Sequence, residues 1–579
     1  MSNPSAAAAP PVEGDPKRKV ALIVVLFAAF MDLLDSTIVN VAIPSIQTDL
    51  TTGYATVQWV VAGYLLSFAV LLILGGRLGD MYGRKKLFLT GVAGFTVASA
   101  LCGFAGSPGT LVAARVLQGA MAALMVPQVL SIITAAFPPK ERGAALGAFG
   151  GVAGLATVGG PIIGALLIDA DLFGQGWRMV FLINLPVGIL LFLAASAVIR
   201  ESRSSESIKL DVVGTLLLTA GLLLLLVPLV QGRELGWPLW SFVAMIASVP
   251  VLAIFWAYQR RLGDQGRPGL IVPSMFRSRS FTAGIVANTV FFSVTIGHFL
   301  IFILFLQNGL GFSALRAGLT GVPWSFGVSF GAAFSATVLT AKLGRKVMVI
   351  GAILLAAGLA GISLTIELRG AELGSWSLLP TLLVGGLGMG MIIAPILDFI
   401  LTDVPPEHAG AGSGVVNAFQ QVGGALGIAV IGAIFIGFLG GGADTAAKDA
   451  GGQLRTALVQ THVSPDQQAK LTETFQTCFT ERTKSKDPTV EPASCAPLTQ
   501  VTDPQAGAAI GAAAKDARRE VFSTALQHTI YAQLGLTALV LLLVLLLPKQ
   551  ARHHDEAWEE TAEPGSEPAG PGVAEPRTA

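Results

Sequence analysis

The chain has 579 residues, of which 53% are hydrophobic and 13% charged, and its mean hydropathy is +0.69; these values exclude a soluble globular protein of this length. The net charge of +1 gives no basic bias toward nucleic acid, and three cysteines are too few for a disulfide scaffold or a metal cluster. No Gly-x-x-x-x-Gly-Lys-[Ser/Thr] phosphate loop is present, which argues against ATP-driven transport. We expect an all-α polytopic membrane protein that is not an enzyme and needs no cofactor or metal.

Apolar runs divide the chain into fourteen predicted membrane spans, each long enough for a bilayer core of about 30 Å. They cover residues 19–45, 55–76, 86–106, 109–134, 143–169, 177–199, 210–231, 238–259, 280–307, 313–340, 346–366, 376–401, 410–438 and 522–547. Alternate connections carry twenty Lys and Arg residues, whereas the short connections between them carry four. The positive-inside rule therefore places both termini in the cytoplasm, which predicts a multi-pass protein of the cell's inner membrane.

A repeat links the two halves of the chain. Phe137-Pro-Pro-Lys-Glu-Arg-Gly recurs as Val404-Pro-Pro-Glu-His-Ala-Gly, and Gly83-Arg84-Lys85 recurs as Gly344-Arg345-Lys346. Parallel repeats of this kind predict two six-helix halves, with spans 210–231 and 238–259 inserted between them. The predicted organisation is a disordered cytoplasmic tail 1–18, a first half 19–200, an inserted pair with linker 201–279, five helices of the second half 280–438, an outer loop 439–521, a last helix 522–548 and a disordered cytoplasmic tail 549–579.

A polar stretch of eleven residues, 76–86, separates the second and third spans and is predicted to form a short cytoplasmic turn. Its glycines permit close backbone approach, and Asp80 lies among several bases. The order Gly76, Asp80, Gly83, Arg84, Lys85 resembles the signature turn of the major facilitator superfamily. The alternative is an ordinary basic loop that only fixes topology.

Asp32 and Asp35 are the most informative charges. They follow Lys19 by 13 and 16 residues, or about 20–24 Å of helix, and they share one helix face. A charged Asp at this depth costs at least about 2.5–3.5 kcal/mol, so such a residue usually lines a cavity and serves the function. A carboxyl group that can be protonated there is what a proton carrier needs. The alternative is a structural carboxylate bonded to a neighbouring helix.

Arg115 is the only base deep within a span, and it needs an anion nearby, for which Asp35 or Asp32 is the natural partner. A purely structural ion pair is the alternative. The segment Leu34–Pro44 resembles the first-helix signature of the fourteen-span drug:proton antiporter branch, with Asp35 at the signature position. The segment Leu111–Gly119 resembles the fourth-helix motif of the same superfamily.

Small residues mark the fifth span. Gly160, Pro161 and Gly164 let another helix pack closely and kink the span. This segment resembles the fifth-helix antiporter motif, and the resemblance implies antiport rather than symport. The physics of the residues alone indicates only a helix contact.

The second half offers fewer polar candidates. His298 sits in the counterpart of the first helix and is either a proton carrier or a structural histidine. The other candidates for a substrate cavity are Phe291, Asn417, Gln420, Gln421 and Asp398. For phenylalanines a lipid-facing or core position is the alternative. Cys478 and Cys495 lie in the predicted outer loop, where they either form a disulfide or stay free.

The prediction is a proton-coupled antiporter that exports amphipathic drugs or antibiotics by alternating access. Its partners would be a small amphipathic substrate, protons and the lipid bilayer, and it would function as a monomer. A lipid or cell-envelope precursor exporter of the same fold is the nearest alternative. A nutrient symporter or a non-transporting receptor is further away, since the motifs above favour antiport.

Overall fold

The computed structural model describes residues 17–137, 152, 156, 159–202, 211–232, 235–267, 269–404, 409–461, 463–485 and 491–550. The two predicted tails fall almost entirely outside this part of the chain. So do most of the predicted fifth span and most of the repeated Pro-Pro segment that begins at Phe137.

All long secondary-structure elements among the described residues are helices. The helices are α1 Arg18–Asp49, α2 Tyr54–Tyr82, α3 Arg84–Gly103, α4 Pro108–Ala136, α5 Gly159–Asp169, α6 Gly176–Val198, α7 Val212–Gln231, α8 Leu239–Asp264, α9 Arg279–Leu304, α10 Ala314–Phe334, α11 Lys346–Arg369, α12 Ser375–Leu401, α13 Ala409–Leu458, α14 Pro465–Lys484 and α15 Pro504–Val544. Eleven of them are long and apolar enough to cross a membrane. The other three predicted spans coincide with α2, α5 and α10.

The two halves repeat the same helix packing. In the first half α2 packs on α4, α4 on α3, α3 on α6 and α6 on α1. In the second half α10 packs on α12, α12 on α11, α11 on α15 and α15 on α9. The all-α fold with repeated halves predicted from the sequence is confirmed.

The inserted helices α7 and α8 pack against each other, and α7 also contacts α2 and α13, one helix from each half. Asp211 caps the start of α7 by accepting a hydrogen bond from the Gly214 N–H at 2.7 Å. The same carboxylate accepts a hydrogen bond from Gln259 of α8, which joins the pair at one end. Most large apolar side chains of α8 are exposed, as expected for a lipid-facing helix.

The predicted turn over 76–86 is too wide. Helix α2 continues through the polar stretch to Tyr82, and α3 begins at Arg84, so a single residue makes the turn. That residue, Gly83, has φ +114°, a conformation that other residues rarely adopt. The polar residues before it form the last turns of a helix that is longer than its apolar part.

The predicted outer loop 439–521 is largely helical. Helix α13 runs on to Leu458 and α15 starts at Pro504, so both extend well beyond the predicted ends of their spans. Helix α14 packs on α13, and it begins after Ser464. A disulfide joins Cys478 of α14 to Cys495.

Candidate functional site

A buried ion pair lies between α1 and α4. Arg115 Nη1 is 2.6 Å from Asp35 Oδ2, and both side chains are 0% exposed. Two amides complete the shell of the carboxylate: Gln118 Nε2 and Asn184 Nδ2 each donate to Asp35 Oδ1 at 2.9 Å. Asn184 also donates to Ser99 Oγ at 3.0 Å. Asp35 therefore ties α1 to α4 and α6 with three hydrogen bonds, all inside the protein.

Arg115 has further partners that do not depend on Asp35. Its Nε donates to the Val60 carbonyl at 2.9 Å, and its Nη1 donates to Gln118 Oε1 at 2.8 Å. The guanidinium lies 4.2 Å above the ring of Tyr64, a cation–π distance. Its Nη2 has no hydrogen-bond partner among the described residues. The guanidinium can thus stay held in place when the interaction with Asp35 changes.

Asp32 lies one turn earlier on the same face of α1 and is 5% exposed. Its Oδ1 accepts a hydrogen bond of 2.6 Å from the Tyr64 hydroxyl. The Arg115 guanidinium lies above the ring of the same tyrosine. Tyr64 therefore contacts both Asp32 and the arginine that is ion-paired with Asp35. Arg115 is ion-paired with Asp35, whereas Asp32 has a neutral hydrogen-bond donor.

The small residues of α5 pack on the opposite face of α1. A Cβ added at Gly160 would lie 1.9 Å from Thr37 Oγ1, and one at Gly164 would lie 2.6 Å from Ile38 Cγ1. These positions need glycine because the helices touch there. Thr37 is two residues beyond Asp35, which places it about 200° around the helix. Helix α1 thus carries the ion pair on one face and the α5 contact on the other.

The halves meet near the ends of the helices that face outward in the predicted orientation. Gln307 Nε2 donates to the Val41 carbonyl at 3.1 Å, between the end of α9 and α1. A Cβ at Gly318 of α10 would be 2.7 Å from the Pro161 carbonyl of α5. Helix α13 packs along α2. These contacts close the protein on the predicted outer side.

A cavity of about 60 Å³ lies between the halves. Its lining residues come from α1, α5, α9, α10 and α12, and they include Thr37, Asn40, Pro161, His298, Phe299, Phe302, Gly318 and Trp324. A site for a drug-sized molecule usually has about 300–1,000 Å³, so this conformation is closed around the cavity. The cavity must widen before it can hold such a molecule.

His298 is the one predicted cavity residue that lines this space. The side chain is 1% exposed, and its Nδ1 lies 3.1 Å from Gln533 Oε1 of α15. Phe291 is fully buried against Phe292 instead, with ring centroids 5.2 Å apart. The remaining candidates, Asn417, Gln420, Gln421 and Asp398, are not among the lining residues. Asn417 donates to the Ser413 carbonyl of its own helix, and Asp398 is exposed.

The signature turn rests on the residues that directly follow α6. The Arg84 N–H donates to the Ser202 carbonyl at 3.0 Å, and the Lys85 N–H donates to Glu201 Oε1 at 3.1 Å. A Cβ at Gly83 would be 2.5 Å from the same Oε1. A Cβ added at Gly76 would lie 3.7 Å from the Pro127 Cβ, which is an ordinary van der Waals contact with α4. The side chain of Asp80 is outside the described residues.

The second half repeats this contact at the end of α15. The Arg345 N–H donates to the Lys549 carbonyl at 3.1 Å, and its Nη1 donates to the carbonyls of Leu545 and Leu547. Gly344 has φ +54°. The repeated Gly-Arg-Lys sequence thus makes the same type of interaction twice, with the residues that follow the last helix of each half.

Four polar residues of the site were not among the predicted site residues, although the sequence marks them. Tyr64, Gln118, Asn184 and Gln533 are polar side chains inside apolar helices, where unpaired polar groups are costly. That signal marks them as hydrogen-bonded. It does not say which neighbouring helix supplies the partner.

Comparison with known proteins agrees with this architecture. A sequence model of the family described as Major Facilitator Superfamily matches residues 25–428. The chain belongs to the Major Facilitator Superfamily. This confirms the resemblance seen in the sequence, and the family and fold are those of membrane transporters rather than enzymes.

The similar facilitators include exporters and resistance proteins. The chain is 44% identical to a probable actinorhodin transporter of Streptomyces coelicolor over 93% of both chains. It is 37% identical to a tetracenomycin C resistance and export protein of Streptomyces glaucescens, over 72% of this chain and 76% of that one. A bacterial homologue of the human lysosomal transporter Spinster, in an inward-facing conformation, has a TM-score of 0.57 at 18% identity and covers 92% of this chain and 98% of its own. That likeness concerns the fold alone.

Proposed function

We propose that this facilitator is a proton-coupled antiporter that exports amphipathic antibiotics or drugs across the cell's inner membrane, with both termini in the cytoplasm. The observation that carries the proposal is the Asp35–Arg115 pair, which is 0% exposed and embedded among amides. The names of the relatives support export of antibiotics. The pair supports coupling to protons, because a buried acid next to a fixed cation is a site whose charge can be switched.

In the proposed cycle a proton neutralises Asp35 and weakens its bond to Arg115. The guanidinium keeps its bonds to Val60 and Gln118 and its contact with the Tyr64 ring. Helix α1 loses its ionic link to α4 and can move relative to it. Because the other face of α1 packs on Gly160 and lines the cavity, the same movement changes the space between the halves.

The burial of Asp35 fits an alternating-access cycle. In the described conformation no part of the side chain reaches solvent, so the proton must enter or leave in another conformation. A carrier of this kind avoids leaking protons when it is closed. One proton moving inward through 100 mV supplies about 2.3 kcal/mol, which supports about fortyfold accumulation of a substrate.

Proteoliposomes test the proposal directly. The purified chain is reconstituted inside-out with an acidic lumen and a pH dye, and ethidium, a monocationic amphiphile, is added outside. Antiport predicts that ethidium enters the lumen while the lumen becomes alkaline, and that Asp35→Asn abolishes both signals. Acidification of the lumen on substrate entry would show symport. Movement of a labelled phospholipid without ethidium movement would support a lipid exporter instead.

A further inference from the structure

Two residues of the cavity lining each have a buried side-chain nitrogen with no hydrogen-bond partner among the described residues. These nitrogens are His298 Nε2 and Trp324 Nε1, on the neighbouring helices α9 and α10. The side chains are 1% and 2% exposed, so water does not satisfy them at the surface. Unpaired buried polar atoms are rare and costly, and each calls for an explanation.

The hydrogen bonds of Gln533 define what His298 Nε2 can do. Gln533 Nε2 donates to the Val294 carbonyl at 3.4 Å, which turns Oε1 toward His298 Nδ1 at 3.1 Å. Because Oε1 only accepts, Nδ1 carries the proton. In the neutral imidazole Nε2 is then an acceptor. Trp324 Nε1 is always a donor, so the two lining residues carry one acceptor and one donor without a partner among the described residues.

The rings around these atoms form an aromatic cluster. His298 stacks on Phe302 with an interplanar angle of 17° and on Trp324 with an angle of 24°, with centroids 5.5 Å and 5.4 Å apart. Phe299 and Trp324 form a T-shaped pair with ring centroids 5.7 Å apart. Aromatic rings of a ligand pack favourably against other aromatic rings. The described residues that line the cavity include no Asp or Glu.

We propose that His298 and Trp324 form the recognition site for a planar aromatic substrate whose edge carries a hydroxyl beside a carbonyl. The Trp324 N–H donates to the carbonyl, and His298 Nε2 accepts from the hydroxyl. This names the substrate class of the export function proposed above and rests on it. Since the cavity is about 60 Å³ in this closed conformation, the substrate binds after the halves separate between Pro161 and Gly318.

The probes are flavonol, which has a hydroxyl beside its carbonyl, and its methyl ether, which lacks the donor. Binding is measured by titration into the full chain in nanodiscs. The emission of flavonol also reports whether its hydroxyl bonds to its own carbonyl or to an outside acceptor. The variants are His298→Phe and Trp324→Phe, which keep a ring and remove the nitrogens. Trp59→Phe is the matched control, because Trp59 Nε1 is also unpaired but does not line the cavity.

The expected result is a distinct pattern for each variant. The unmodified chain binds flavonol about tenfold more tightly than the ether, since one hydrogen bond to a buried group is lost. His298→Phe weakens flavonol about tenfold, leaves the ether unchanged and removes the emission shift. Trp324→Phe weakens both probes about tenfold, and Trp59→Phe weakens neither. Trp324→Phe removes a nitrogen that has no partner among the described residues, so the substitution creates no new unpaired atom. It therefore tests the proposal even if His298→Phe folds poorly.

Equal binding of flavonol and its ether by the unmodified chain would overturn the inference, as would an equal loss in Trp59→Phe and Trp324→Phe. If ethidium still moves against protons in that case, the proposed antiport stands without this substrate class. If the binding pattern appears but no proton movement accompanies transport, the antiport proposal fails and the binding site stands.

Discussion

Replacing Asp35 with Asn separates a proton carrier from a structural ion pair. The substitution keeps the shape of the side chain and an oxygen that can accept from Gln118 and Asn184. It removes the only carboxylate bonded to Arg115 among the described residues. The guanidinium then remains 0% exposed without a counterion. Breaking a buried pair in this way costs about 3–5 kcal/mol of stability, and we expect proton-driven transport to stop.

A second substitution, added to Asp35→Asn, tests whether transport stops because the titratable carboxyl is lost or because stability is lost. Arg115→Met removes the buried charge that has lost its counterion and leaves an unbranched apolar side chain of similar length. Because buried ion pairs can often be replaced by apolar groups at little cost, the double variant should regain most of the lost stability. A carrier predicts that coupled transport stays absent. A structural pair predicts that transport returns together with stability.

Stability is measured by SDS titration in mixed micelles, and transport is measured by substrate-driven alkalinisation in inside-out proteoliposomes. Asp35→Glu is the control that keeps a titratable group at the same position. The reasoning is refuted if Asp35→Asn transports normally, or if the double variant recovers proton-driven transport while it recovers stability.

Three further substitutions test other parts of the site. Asp32→Asn retains an acceptor for the Tyr64 hydroxyl, so the proton-to-substrate ratio in proteoliposomes should change less than in Asp35→Asn; an equal loss would mean that the two acids titrate as a unit. Gly160→Ala places a Cβ 1.9 Å from Thr37 Oγ1, so it should slow efflux at least tenfold. Gly159→Ala is the control, because a Cβ there meets its nearest neighbours only at 3.7 Å and should leave efflux unchanged. Similar efflux rates for the two variants would contradict the α1–α5 contact. Cys478→Ser opens a link across 17 residues, whose closure is worth about 3 kcal/mol, and should speed proteolysis after Lys484 while leaving transport unchanged; unchanged proteolysis would argue against the disulfide's role.

Rare charges made part of the site predictable from the sequence. Asp35 and Arg115 stand out because charges inside apolar spans are expensive and need partners. The pairing of Asp35 with Asn184 was not predictable, since it depends on how α6 packs against α1, and helix periodicity contains no such information. The orphan nitrogens of His298 and Trp324 are visible only once the helices are in place.

The extent of the helices shows a second limit. Hydropathy located the apolar parts of α2 and α13 but not their ends, because a helix that leaves the membrane becomes polar without ceasing to be a helix. Residues 440–458 contain five Ala but also five Gly and two Asp, and Gly and Asp are poor helix formers. Composition and local propensity both indicated a loop there, whereas the helix that the structure contains packs against α14 and α15.

The distribution of acids predicts which substrate charge this facilitator prefers. Asp32 and Asp35 both lie on α1, where one bonds to Tyr64 and the other to Arg115, so both of these acids belong to the first half. The described cavity wall in the second half consists of aromatic, aliphatic and small side chains around His298.

A dication would therefore lose the hydration of at least one charge without gaining a partner, which is costly in a low-dielectric site. A neutral or monocationic aromatic compound avoids this cost and gains the ring contacts. We expect matched monovalent dyes to be exported at least tenfold faster than divalent ones of the same ring system, measured in inside-out proteoliposomes at equal concentration. Faster proton-dependent movement of the divalent dye would require an acid that faces the cavity in another conformation, and it would refute this account of the second half.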